Sequence, residues 1–85
     1  MIYRVYALRD QAAQQFLAPV LNSTDEAAIR DLANMVSQQD RSNLVFQPKD
    51  FDLYCIGDFD AASGLMTPAS PIRLVVNAAA LVSHE

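Results

Sequence analysis

DLYCIGDFDAASG (residues 52–64) holds the single cysteine of the chain, an Asp-x-Asp pair and both glycines. As a loop, it would offer Asp58 and Asp60 as oxygen ligands for a hard cation. As a strand running into a hairpin, it would bury alternate residues. The alternation favours the strand. Leu53, Cys55 and Phe59 share one parity with Gly57, while Asp52, Tyr54, Ile56 and Asp58 share the other. Gly57 marks a bulge. Asp60 then starts the turn DAASG, and Gly64 takes a positive φ there.

Working outward, LMTP starts a return strand, Pro68 and Pro71 bracket a loop, and IRLVV is a second strand of the same kind. NAAALV is a short tail of strand or helix. Upstream, IYRVYALR reads as a strand rich in β-branched and aromatic residues. RDQAAQQ is either a turn begun by Asp10 or a short helix. The turn is preferred, leading to a strand FLAPVLN whose Pro19 requires a sheet edge. STDEAAIRDLANMVSQQ gives a helix over about residues 24–38. Ser23 with Glu26 fits a capping box, and Ile29, Leu32, Ala33 and Val36 form its apolar stripe, with Ala28 and Met35 beside it. Glu26 and Arg30 have ion-pair spacing. Leu44, Val45 and Phe46 form a short apolar run that either adds a strand or plugs the core. The expected architecture is a single α+β domain over residues 1–85. It is a small, mainly antiparallel β-sheet of about four to five strands packed by one main α-helix.

A chain of 85 residues buries a modest share of its unfolded surface, and oligomerisation often stabilises so small a domain. Its 52% hydrophobic content supports a core. No apolar run approaches the roughly 18 residues of a membrane span, and MIYRVYALRD does not read as a signal peptide. Lone Cys55 suits a reducing compartment, and the expected location is a cytoplasm. The net charge of −4 is uneven. Residues 1–49 carry five basic and five acidic side chains, whereas residues 50–85 carry Arg73 against five acids. Any basic footprint for nucleic acid therefore lies in the N-terminal half and is sparse, so that several copies would act together.

The chemistry of the side chains argues against an enzyme. Cys55 lies mid-strand with no basic neighbour and reads as a small buried hydrophobe. His84, the one histidine, is penultimate and a poor catalytic base. A calcium loop counted from Asp58 would need glycine at its sixth position, where Ser63 stands, and a distal glutamate that comes only at Glu85. No catalytic residue, metal site or cofactor is expected. Asp50 and Asp52 could share an acidic face with Asp58 and Asp60. Tyr3, Arg4, Tyr6 and Arg9 mix aromatic and basic groups on one strand, the chemistry of single-strand binding. By strand alternation Arg4 and Tyr6 share a face, and Lys49, Arg41 and Arg73 could extend the patch.

Several features occur in a characteristic order. They are a first strand ending in Arg9-Asp10, then Phe16-x-x-Pro19, then Ala28-Ile29-Arg30. Next comes Pro48-x-Asp50-Phe51-x-Leu53-Tyr54-x-Ile56-Gly57-x-Phe59-Asp60, with Gly64 closing the turn. Over about residues 3–76 this resembles the small non-structural protein of gokushoviruses, single-stranded DNA phages of the microvirus family. The resemblance implies a phage protein made in the host bacterial cytoplasm, with a DNA-binding role in single-stranded DNA replication or packaging. It carries over no catalytic residue. The resulting expectation is a non-enzymatic accessory factor that binds single-stranded DNA as a homo-oligomer. Arg4, Tyr6, Arg9, Arg41 and Lys49 are its candidate contacts. The alternative is an acidic adaptor that docks on a basic host or phage protein.

Overall fold

The computed structural model describes residues 1–37 and 47–82. Strand β1 (Ile2–Asp10) runs into two short strands, β2 (Gln15–Phe16) and β3 (Val20–Asn22), and then helix α1 (Asp25–Ser37). A 3₁₀ turn (Pro48–Asp50) leads into β4 (Phe51–Asp60) and β5 (Leu65–Asn77), and a second 3₁₀ turn (Ala78–Leu81) follows. All strand pairs are antiparallel, in the order β2-β1-β4-β5, with β3 also on the outer side of β1. A curled sheet with one helix is the α+β architecture expected from the residue pattern.

Residues 11–14 form a turn, not a helix. Asp10 Oδ1 accepts from the Ala13 amide at 3.1 Å, and Gln14 has φ 54°. FLAPVLN does lie at the sheet edge, but it is split. β2 pairs with Arg9 and Asp10, β3 pairs with Arg4 to Tyr6, and Pro19 falls between them. The larger correction is at Pro68 and Pro71. They bracket no loop, because both lie inside β5, which runs unbroken past a cis Ser70–Pro71 peptide. β5 is an edge strand, so its missing amide donors break no ladder on the open side. NAAALV becomes the second 3₁₀ turn, with the Ala79 amide donating to Asn77 Oδ1 at 2.9 Å.

Helix α1 is capped by Thr24, one residue later than the expected Ser23. The Ala27 amide donates to Thr24 Oγ1 at 3.1 Å. Its buried centre is Ala28 and Leu32 with Val36 packed alongside, a stripe turned slightly from the expected one. Met35 is left exposed. These residues lie on Tyr6, Leu53, Cys55, Phe51 and Ala78. Full burial of each large apolar side chain contributes about 1.5–3 kcal/mol. Cys55 is the core residue its setting suggested. Leu44 to Phe46 and His84 fall outside the described residues.

β4 is bulged beside Gly57, as expected. One step along β1 from Val5 to Tyr6 is matched by two along β4, from Gly57 to Cys55. On the other side, those two steps are matched by five along β5, from Arg73 to Pro68. The surplus lets β5 bend over β4. A Cβ on Gly57 would lie 2.5 Å from the Thr67 carbonyl oxygen, so only glycine fits there. At the hairpin end, Asp60 Oδ1 accepts from the Ala62 amide at 2.9 Å, and Gly64 has φ 77°.

Candidate nucleic-acid interface

Cross-strand partners share a face of the sheet, so the register sorts the candidate residues. The α1 side carries Arg4, Tyr6 and Leu8 of β1 with Asp58, Cys55 and Leu53 of β4. The opposite side carries Tyr3, Val5, Ala7 and Arg9 with Phe59, Gly57, Tyr54 and Asp52. Phe16 and Leu21 join it from β2 and β3, and Leu74 and Met66 from β5.

Tyr6 belongs to the core. It is 0% exposed, so no base can stack on its ring, and the expectation of Tyr6 as a DNA contact is corrected. Its hydroxyl donates to Asp25 Oδ1 at 2.5 Å. Asp25 also receives both guanidinium nitrogens of Arg73, at 2.9 and 3.0 Å. These donors hold the Asp25 carboxyl down at about 2, the Arg73 hydrogen bonds contributing most. Burial first, then the Asp25 hydrogen bond, pushes the Tyr6 hydroxyl up, and Asp25 likewise raises Arg73. The cluster ties β1, β5 and the first turn of α1 together. It also engages Arg73, which therefore does not extend a free basic patch. Arg73 with Asp25 is the ion pair among the described residues, and the spacing of Glu26 and Arg30 produces none.

Arg4 is exposed near the far end of the α1 side, beside Asn22 and Asp58. Arg9 lies at the other end of β1, on the opposite face, so β1 does not present one continuous basic strip. Lys49 is exposed in the first 3₁₀ turn, and the structure brings it to the Arg9 end of the sheet. The Gln11 amide donates to the Asp50 carbonyl at 2.7 Å, and Asn77 Nδ2 donates to the Lys49 carbonyl at 3.1 Å. Arg41 lies outside the described residues.

Arg9 is held in place by the Gln11 amide, itself anchored on Asp52. Its Nη1 donates to Gln11 Oε1 at 3.1 Å, Gln11 Nε2 donates to Asp52 Oδ2, and Asn77 Nδ2 donates to Asp52 Oδ1 at 2.7 Å. The guanidinium carbon sits 5.8 Å from the Phe16 ring centroid, a cation–π contact. Phe16 meets Tyr54 edge to face, with centroids 5.8 Å apart at 65°. Sequence reasoning missed both aromatics as site residues. The signal was present for Tyr54, whose parity opposes that of Leu53 and Cys55. For Phe16 it needed the pairing with Arg9, which no local pattern reveals.

The supposed acidic face is divided. The bulge at Ile56 puts Asp58 with Arg4 on the α1 side, while Asp52 faces the opposite way with Arg9. Asp50 lies in the 3₁₀ turn before β4. Among the described residues no group of three or more His, Cys, Asp or Glu is placed to hold a metal ion. Among them also, no helix is long and apolar enough to cross a membrane.

The family model described as phage ORF5 protein matches residues 3–81. The chain belongs to the phage ORF5 protein family. The gokushovirus resemblance fits this assignment. No curated protein and no solved structure gave a match. The matched span of this phage ORF5 protein takes in every strand but for Ile2 at the start of β1, together with α1 and both 3₁₀ turns, so Arg9, Phe16, Lys49 and Tyr54 all lie within it. The family is not a known enzyme family.

Proposed function

We propose that this phage ORF5 protein is a non-enzymatic accessory factor that binds single-stranded DNA during viral replication or packaging. It acts in the host cytoplasm and as a homo-oligomer. The observation that carries the reading is the convergence of Arg9 and Lys49, distant in sequence, at one end of the sheet beside exposed aromatic surface. Arg4 is a separate, weaker contact on the α1 side. With so few cations per chain, the dependence on salt is shallow: about −0.7 in log–log slope per phosphate held by a single strand. Useful affinity therefore needs several chains on one DNA.

The test is binding of labelled single- and double-stranded DNA at low and moderate salt, with Arg9→Ala/Lys49→Ala as the variant. Binding that weakens with salt and is weakened in the double variant supports the reading. No binding to the parent protein at micromolar concentration in low salt refutes it. A second reading, an adaptor for a basic partner protein, is favoured by one feature. Asp58 and Asp60 share the α1-side face with Ile2 and Leu65 at the end of the sheet that carries the hairpin turn. Retention of a host or phage protein by the parent, lost in Asp58→Asn/Asp60→Asn, is the result that would favour it.

A further inference from the structure

We infer that the Phe16–Tyr54 pair, with Arg9 over Phe16, is a base-stacking subsite, and that this protein holds single-stranded DNA chiefly by its bases. The inference rests on the DNA-binding reading above and assigns the residues and the kind of contact.

Three observations support it. First, the face opposite α1 keeps apolar surface in solvent around these rings. Phe16 is 40% exposed and Leu74, the cross-strand partner of Tyr54, is 54% exposed. Second, the surface is built rather than incidental. Arg9 is fixed over the Phe16 ring through Gln11 and Asp52, and Phe16 is braced by Tyr54. A guanidinium over one ring, with a second ring edge-on to it, offers planar surfaces on which any base can stack, since every base has a π-face. Third, the local charge leaves phosphates a minor part. Asp10, Asp50 and Asp52 lie at the same end as Arg9 and Lys49, and acids outnumber bases there. Phosphate attraction alone is therefore weak, and contact with bases must supply most of the affinity. A duplex hides the faces of its bases, so the same surface discriminates against double-stranded DNA.

Farther along this face the surface is closed over at Gly57. The β5 backbone bends over Gly57, and Val5 beside it is 1% exposed. Tyr3 and Phe59 form a second cross-strand aromatic pair beyond that point.

The deciding experiment compares an oligothymidylate with an abasic oligonucleotide of equal length, which keeps the phosphates and removes the bases. Binding is followed by anisotropy of the labelled DNA and by the intrinsic tyrosine emission of the protein. The chain has three tyrosines and no tryptophan, and Tyr6 is buried against a carboxylate, so the emission reports Tyr3 and Tyr54. The expected result is quenching by oligothymidylate and at least roughly tenfold weaker binding of the abasic strand. Phe16→Ala and Tyr54→Ala should each weaken oligothymidylate binding by roughly tenfold, while Tyr54→Phe keeps it. Equal affinity for the abasic strand overturns the stacking site and leaves DNA binding standing. Failure of the parent to bind either strand overturns both. The comparison on the parent protein decides the matter even where an alanine variant fails to fold.

Discussion

Replacing Gly57 with alanine tests the bend that shapes the outer face, the side of the sheet opposite α1. The added Cβ would stand 2.5 Å from the Thr67 carbonyl oxygen and 3.3 Å from Pro68 Cα. Ordinary carbon contacts lie near 3.5–4.0 Å. The obstructing atoms are backbone, and Pro68 is the cross-strand partner of Gly57, so no side-chain rotation relieves the clash. Overpacking of this kind costs about 1–3 kcal/mol. At about 4–8 °C per kcal/mol for a domain of this size, a cost of about 2 kcal/mol lowers Tm by roughly 8–16 °C. Gly64→Ala is the control, because nothing lies within 4 Å of its Cβ and its penalty arises from φ 77° alone. That penalty is about 1–2 kcal/mol and is smaller for Gly64→Asn. Thermal melts and urea titrations should rank Gly57→Ala at or below Gly64→Ala in stability, with Gly64→Asn closest to the parent. A Gly57→Ala protein melting within about 2 °C of the parent would refute the close passage of β5, because that is the range of an ordinary surface change.

The Asp25 cluster sets an acid-sensitive component of stability. The folded carboxyl titrates at about 2 against an ordinary 3.8, so its contribution is fully present above about pH 4 and is lost as pH falls toward 2. Tm measured against pH should drop across that window, and Asp25→Asn should lower Tm at neutral pH and flatten the drop. For assembly, light scattering after size exclusion should give a mass above the 9.4 kDa of one chain, and a monomer at tens of micromolar would refute the homo-oligomer.

How far the sequence could be read depended on whether the deciding interaction was local. The alternation of IYRVYALR and FDLYCIG gave β1 and β4, because burial on one face of a strand imposes a period of two. The acidic first turn and apolar stripe gave α1. Pro68 and Pro71 misled because proline excludes only a central strand, and edge position is set by tertiary pairing. Alternation also sorted β1 into two faces without saying which would receive α1. The helix covers Tyr6, so the ring best placed beside Arg4 by parity is the one lost to the core. The bulge defeated the reading of the aspartates in a related way. One extra residue at Ile56 reverses the parity that had put Asp52 and Asp58 on a common face.

That reversal bears on how an acidic chain would bind an acidic polymer, as proposed above. Net charge treats the ten carboxylates as one field, but the fold distributes them unequally. Asp58 and Asp60 face the α1 side, and Asp25 at the start of α1 is neutralised there by Arg73. On the opposite face of the strands, Asp52 stands against Arg9, and both its oxygens accept from amides that help fix the guanidinium. On that face Asp52 and Arg9 balance one another, although Asp10 and Asp50 leave a small acid excess at the same end of the sheet. Screening reaches about 8–10 Å at ordinary salt, so a strand at the Arg9 end is shielded from Asp58 and Asp60, farther along the sheet, more than from Asp10 and Asp50. Under those conditions repulsion falls away faster than stacking, which is short-ranged and insensitive to salt. Added salt would then weaken the phosphate contacts of Arg9 and Lys49 while leaving the contribution of Phe16 and Tyr54. An aromatic surface of low net charge is consistent with the proposed holding of single strands by a chain whose composition lacks a basic footprint.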